Sequence, residues 1–189
     1  MKRIAVFCGS NFGARPDYEI AARNLAQTLA ARQVELIYGG TETGTMGTLA
    51  SEVLRLGGRV IGVVPQSETL RQRAQNGLSQ LHIVASMHER KAKMADLSDG
   101  FIALPGGLGT LDEFFEAATW TQLKLHQKPC GLLNVAGFWD DLLRFLDGAV
   151  RDGMLRAEYR AMICSSDNAD DLLEQMMNYE FPDVGKWIE

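Results

Sequence analysis

The chain has 189 residues, 46% of them hydrophobic and 23% charged, with a formal net charge of −5. That length suits one domain with a full core, and the composition is that of an ordinary soluble globular protein. The acidic balance argues against nucleic acid, which needs a basic stripe, and no apolar run is long enough for a membrane span.

Residues 2–8 read as a first strand, buried on both faces from Ile4 onward, ending in the small polar loop Gly9-Ser10-Asn11. A helix is expected over residues 17–32, with Ile20, Leu25 and Leu29 among its apolar positions. Residues 34–38 form a second strand, followed by Gly39-Gly40. A helix over 44–56 turns Met46, Leu49, Ala50, Val53 and Leu54 inward, and Gly57-Gly58 closes it. Residues 59–64 make a third strand, stopped by Pro65. The polar stretch 66–80 has no clean period and reads as an ordered excursion over the sheet rim. Residues 81–85 look extended, and a helix follows over 87–97.

The apolar run 101–104 is a buried strand that stops at Pro105, after which Gly106, Gly107 and Gly109 precede a helix expected from Thr110 to about His126. A strand over 128–133, an amphipathic helix over 139–151, a short strand over 161–164 and a helix over 167–179 complete the chain. Strands alternating with helices mean a parallel sheet covered on both faces, hence a single α/β domain over 1–189 of Rossmann-like, three-layer type. Ligands of such sheets bind beyond the carboxyl ends of the strands. Ser10, Gly39-Gly40, Pro65 and Pro105-Gly106-Gly107 all follow strands directly and therefore share that rim.

The turn at 105–109 joins a strand to a helix whose free amides point back at it, which is an anion site. Glycines there let a ligand oxygen approach the backbone, or simply turn the chain. Glu113 and Glu116 lie one turn apart on one helix face. Thr110-x-x-Glu113 is also a capping box, with Thr110 as N-cap, so Glu113 is open to a purely structural role. Met87, Arg90, Lys91 and Met94 form one helical stripe, and an arginine on a partly apolar stripe calls for a dedicated partner, either a phosphate or a rim carboxylate.

Neither the G-x-G-x-x-G nor the G-x-x-x-x-G-K-[ST] pattern is met, which disfavours dinucleotide-dependent oxidoreductases and P-loop NTPases. His82, His88 and His126 show no metal spacing, and no metal or cofactor is expected. Ser10 lacks a nucleophile-elbow context and is read as a hydrogen-bonding ligand contact. Cys8, Cys130 and Cys164 lack C-x-x-C spacing and read as reduced, buried thiols of a cytoplasmic protein with no export signal.

Taken together, Cys8-Gly-Ser10, Tyr38-Gly-Gly40, Gly44-Thr-Met-Gly47, Met87-His-Glu-Arg-Lys91 and Pro105-Gly-Gly-Leu-Gly-Thr-Leu-Asp-Glu113 resemble the Lonely Guy family. Its members are phosphoribohydrolases that release cytokinin bases from riboside 5′-monophosphates, often mislabelled lysine decarboxylases. Thr119-Trp-x-Gln-Leu123 and Lys128-Pro-x-Gly-Leu-Leu133 also fit, so the resemblance runs to about residue 153.

The resemblance implies a catalytic pair, Arg90 and Glu113, and a 5′-phosphate held by Gly107, Leu108, Gly109 and Thr110. Lys91 and Thr119 join the substrate site, and the protein is a homodimer. Ser10, Gly40, Met87, Pro105 and Gly106 complete the expected substrate contacts, with Glu116 behind Glu113. One departure is Gln72, aligned where the family carries a glutamate, which bears on base preference. The expected activity is hydrolysis of the N-glycosidic bond of an adenine or cytokinin-type riboside 5′-monophosphate. A nucleotide-binding carrier or sensor without catalysis is the alternative. No lysine stands in a pyridoxal phosphate context, so decarboxylation has no support.

Overall fold

The computed structural model describes residues 1–66 and 76–182. Its strands are β1 (Arg3–Phe7), β2 (Glu35–Tyr38), β3 (Val60–Pro65), β4 (Gln80–Val84), β5 (Gly100–Ala103), β6 (Cys130–Leu133) and β7 (Ile163–Ser166). The helices among the described residues are α1 (Pro16–Ala31), α2 (Gly44–Arg55), α3 (Met87–Leu97), α4 (Leu108–Gln122), α5 (Asp140–Arg151), α6 (Ala157–Ala161) and α7 (Ala169–Met177). All seven strands are parallel, in the order β4-β3-β2-β1-β5-β6-β7. The three-layer Rossmann-like fold is therefore the one the alternating pattern implies. None of these helices is long and apolar enough to cross a membrane.

Side chains alternate across a strand, so each strand feeds two cores. Ile4, Val6, Leu36, Tyr38 and Ile102 pack under α1, α2 and α7 with Leu25, Leu29, Leu49 and Leu172. Ala5, Phe7, Ile37, Ile61 and Phe101 pack under α3, α4 and α5 with Met94, Phe114 and Leu146. Near-continuous apolar strands follow from burial on both faces. At the margin, β4 pairs, among the described residues, with β3 alone and leaves Leu81 and Ile83 exposed.

Helix ends follow local chemistry. Pro16 opens α1, with Asp17 and Glu19 in its first turn complementing the dipole. Gly57 at φ 78° ends α2 in the left-handed region. At α3, the Ser86 hydroxyl accepts from the Glu89 amide at 3.1 Å, and the Glu89 carboxylate accepts from the Ala85 amide at 2.9 Å. The reciprocal cap of this chain is thus at Ser86-x-x-Glu89.

The box expected at Thr110 is not formed. Helix α4 begins two residues earlier, with Gly107 as N-cap and no side-chain cap bond. Thr110 is inside the first turn and buried, its hydroxyl filling the space a Cβ on Gly106 would occupy. Glu113 is thereby released from capping duty. The last strand also shifts: residues 157–161 are helical and β7 starts at Ile163. A four-residue apolar run carries no period with which to fix its own boundaries. Most of the excursion expected over 66–80, Gln72 included, lies outside the described residues.

The chain winds from β1 outward to β4, then returns to place β5 on the other side of β1. That reversal opens a crevice beyond the carboxyl ends of β1 and β5. The Gly9 amide donates to the Pro105 carbonyl at 3.2 Å, tying the two exit loops together at its floor.

Candidate active site

A cleft of about 520 Å³ occupies this crevice. Its lining includes Ser10, Met87, Arg90, Glu113 and the whole turn from Pro105 through Gly106, Gly107, Leu108 and Gly109 to Thr110. Ten of the expected site residues, carried on three separate stretches of chain, are thus brought together.

The first bond of α4 runs from the Leu111 amide to the Gly107 carbonyl at 3.1 Å. The amides of Gly107, Leu108, Gly109 and Thr110 ahead of it therefore have no intrahelical acceptor. The glycines of this turn divide in two. A Cβ on Gly106 would strike the Thr110 side chain and lie 3.0 Å from the Gly9 nitrogen, so packing alone demands glycine there. A Cβ on Gly107 or Gly109 would meet nothing within 4 Å. Glycine in a helix costs about 0.5–1 kcal/mol relative to alanine. At Gly109, packing therefore does not account for the residue, and the space beside its backbone is open.

Arg90 reaches the cleft from α3 and is buried, as is most of the Glu113 side chain on α4. The Arg90 Nε donates to the Val63 carbonyl at 3.0 Å, and Nη1 donates to Glu113 Oε1 in a charge-assisted bond. The guanidinium is thus held at two points, one on the end of β3 and one on the second turn of α4. Burial raises the Glu113 carboxyl above the ordinary glutamate range, and the Arg90 charge and hydrogen bond work against that rise. The pair is an ion pair at the wall of a cleft, with a carboxyl whose charge is sensitive to its surroundings.

The remaining expected residues stand elsewhere. Lys91 extends to α4, its Nζ 3.0 Å from Asp112 Oδ2 and 3.2 Å from Glu116 Oε2. Burial pulls its pKa down, but the two carboxylates outweigh this and leave it raised. Lys91 and Glu116 therefore clamp α3 to α4 behind the Arg90–Glu113 pair, and Asp112 shares the clamp. Gly40, at φ 81°, packs beneath Val64 at the end of β2. Thr119 lies farther along α4, lining a separate cavity of about 70 Å³ with Phe115, Cys130 and Leu146.

Sequence reading missed several residues of the cleft. Phe12, Tyr18 and Phe138 form an aromatic wall, with Tyr18 and Phe138 edge-to-face at 5.5 Å. Thr45 and Met46 enter from the start of α2, where Thr45 Oγ1 donates to the Gly9 carbonyl at 2.9 Å. Gly44, at φ 61°, lets this turn close on the Ser10-Asn11 backbone. The Gly44-Thr-Met-Gly47 string was the available signal for Thr45 and Met46. Nothing local marks Phe138, 120 residues from Tyr18 in sequence. Cys8 also lines the cleft, but burial pushes its thiol up to about 12, so it is a poor nucleophile near neutrality.

The turn is also where one substitution has a readable consequence. Gly106→Ala should force the Thr110 side chain and the Gly9 loop apart, raising KM for a phosphorylated substrate by about 10-fold or more through misplaced amides. Steady-state kinetics against the unphosphorylated nucleoside provide the control, since that compound carries no phosphate for the amides to hold.

Comparison with known proteins bears on the same residues. Residues 46–176 match the family model described as "Possible lysine decarboxylase". A cytokinin riboside 5′-monophosphate phosphoribohydrolase of Arabidopsis thaliana is 47% identical over 180 residues, covering 95% of this chain and 82% of the relative. A probable enzyme of the same name from Oryza sativa subsp. japonica is 46% identical over 181 residues, covering 96% of this chain and 74% of the relative. Among solved structures, the molybdenum cofactor binding protein of Rippkaea orientalis superposes with a TM-score of 0.69 at 24% identity, covering 94% of this chain and 96% of that one. The Moco carrier protein of Chlamydomonas reinhardtii does so at 0.68 and 18%, covering 93% and 97%. These two likenesses concern the fold alone. With relatives this similar over nearly its whole length, the chain belongs to the Lonely Guy family of cytokinin riboside 5′-monophosphate phosphoribohydrolases.

Proposed function

We propose that the protein hydrolyses the N-glycosidic bond of a purine riboside 5′-monophosphate, adenine or cytokinin-type, giving the free base and ribose 5-phosphate. One observation carries this: a buried Arg90–Glu113 pair opens into the same cleft as a helix N-terminus with bare glycine amides. Holding a phosphate needs only the amides. A carboxylate set within the first two turns of the same helix has a use when a positive charge develops beside the anchored group.

The 5′-phosphate docks on the amides of Gly107, Leu108, Gly109 and Thr110, and this remote binding energy fixes the sugar for reaction. As the C1′–N bond breaks, its electron pair leaves with the base and the ribose acquires oxocarbenium character. Glu113, ionised, stabilises that charge and orients the water whose oxygen bonds to C1′. One of the water's protons passes to the departing base, and the other stays on oxygen as the new C1′ hydroxyl of ribose 5-phosphate. Arg90 sets the position of Glu113, and Met87, Met46 and the aromatic wall bound the space left for base and sugar. Lys91 and Glu116 act from behind by fixing α3 against α4, and Thr119 lies outside the chemistry in this mechanism.

Decarboxylation of lysine fits poorly, because among the described residues no lysine lines the cleft to form a Schiff base. The fold shared with molybdenum cofactor carriers keeps a non-catalytic carrier as the second reading, and turnover separates the two. The proposal includes a cytoplasmic location and a homodimer, in keeping with Leu123 and Leu125 exposed at the end of α4.

A panel of AMP, adenosine, ADP and a prenylated AMP tests the activity. Free base and ribose 5-phosphate should form from the monophosphates, with kcat/KM for adenosine lower by about 100-fold or more, as expected when remote binding energy is removed. Equal rates on adenosine and AMP would remove the phosphate anchor from the mechanism.

A further inference from the structure

Gly39 follows β2 and is buried, in ordinary backbone conformation rather than the left-handed region occupied by its neighbour Gly40. Its backbone would therefore accept an alanine. Space would not: a Cβ there would run into Nη2 of Arg90, with Arg90 Cζ 3.5 Å away and the Met46 sulfur at 2.9 Å. No backbone atom is among these nearest neighbours. The atoms that would have to give way are side-chain ends, and one of them is the guanidinium that holds Glu113.

We infer that Gly39 is a positioning residue for the catalytic pair: the bare Cα is the seat against which the Arg90 guanidinium lies while it bridges the Val63 carbonyl and Glu113. Three contacts define a plane. The Val63 carbonyl fixes Nε, Glu113 fixes Nη1, and the Gly39 surface sets how deep the group sits. An added methyl lifts the guanidinium toward the cleft, lengthening at least one of the two bonds. Met46 turns aside at little expense, since a thioether chain is flexible. The inference rests on Glu113 and Arg90 acting on the substrate as proposed above.

The test is a double-mutant cycle of Gly39→Ala with Arg90→Ala, read by kcat/KM on AMP, by its pH profile and by thermal denaturation. Gly39→Ala alone should lower kcat/KM by about 10- to 100-fold, the scale of a misplacement on the order of 1 Å. In the Arg90→Ala background it should cost less than about twofold, because no guanidinium remains to displace. The pH profile separates positioning from mere packing. Arg90 works against the burial-driven rise of the Glu113 carboxyl, so displacing it should move the acidic limb of kcat/KM to higher pH.

Should Gly39→Ala unfold the protein, the same clash predicts that adding Arg90→Ala restores its Tm to that of Arg90→Ala alone. Full activity in Gly39→Ala, or an equal loss in both backgrounds, overturns the inference. Failure of the wild-type protein to release base from AMP would instead overturn the hydrolase proposal, so the two failures are distinct.

Discussion

Glu113→Gln should lower kcat on AMP by roughly 100-fold or more, the range for loss of an electrostatic or acid–base group. The protein should still fold, at a lower Tm, because the buried Arg90 guanidinium keeps its charge without a counterion. Glutamine keeps the shape and can still accept from Arg90, so the α3–α4 contact survives while the charge facing the sugar is lost. KM should change little, because the phosphate amides on α4 are untouched. The pH dependence gives a second signature. Burial raises the Glu113 carboxyl, so the wild-type acidic limb should lie above the ordinary glutamate value of about 4.3, with activity rising as pH passes through it. In Glu113→Gln that limb should vanish. Wild-type turnover in the variant would reduce Glu113 to the structural partner of Arg90.

Arg90→Ala should have a broader effect, reducing kcat/KM by about 100- to 1,000-fold with both kcat and KM damaged, since one residue holds Glu113 and lines the cleft. It also leaves a mostly buried carboxylate without its cation. Breaking a buried pair in this way costs about 3–5 kcal/mol when the remaining charge cannot escape. Here it can escape by taking up a proton. The folded-state pKa of Glu113 would rise further above its unfolded value, so the penalty is absent below the unfolded pKa and grows as pH rises above it. The Tm deficit of Arg90→Ala relative to wild type should therefore be larger at pH 8 than at pH 5. A deficit independent of pH, with normal kinetics, would make Arg90 a packing residue.

Much of the fold was legible because its strands are short apolar runs cut off by glycine or proline. Residues 4–7, 36–38 and 101–104 each announce a strand followed by a tight exit, and alternation with helices leaves little freedom beyond a parallel sheet. The crevice followed from the same logic. Where the sequence misled, the deciding force was tertiary. Thr110-x-x-Glu113 has the spacing of a capping box, but the Thr110 hydroxyl fits against Gly106, and the helix starts at Leu108 instead. The working cap is Ser86-x-x-Glu89, which the reading of the sequence passed over and which directly precedes Arg90.

Lys91 illustrates a different limit. The family resemblance implied a substrate contact for it, yet Asp112 and Glu116 from another helix take its charge. No local pattern shows which of several carboxylates a long side chain will meet. Phe138 joins the cleft only because β6 runs beside β5, which places its exit loop near Tyr18. Such residues belong to the topology rather than to any motif.

In the proposed mechanism a nucleotide phosphate sits on the α4 amides with C1′ turned toward residue 113. The decisive measurement is a crystal structure of the Glu113→Gln protein with AMP bound. Phosphate oxygens should lie within hydrogen-bond reach of the Leu108, Gly109 and Thr110 amides, and the ribose against the substituted side chain and Arg90. A nucleotide bound at the other end of the strands, or one whose phosphate points away from those amides, would contradict the mechanism.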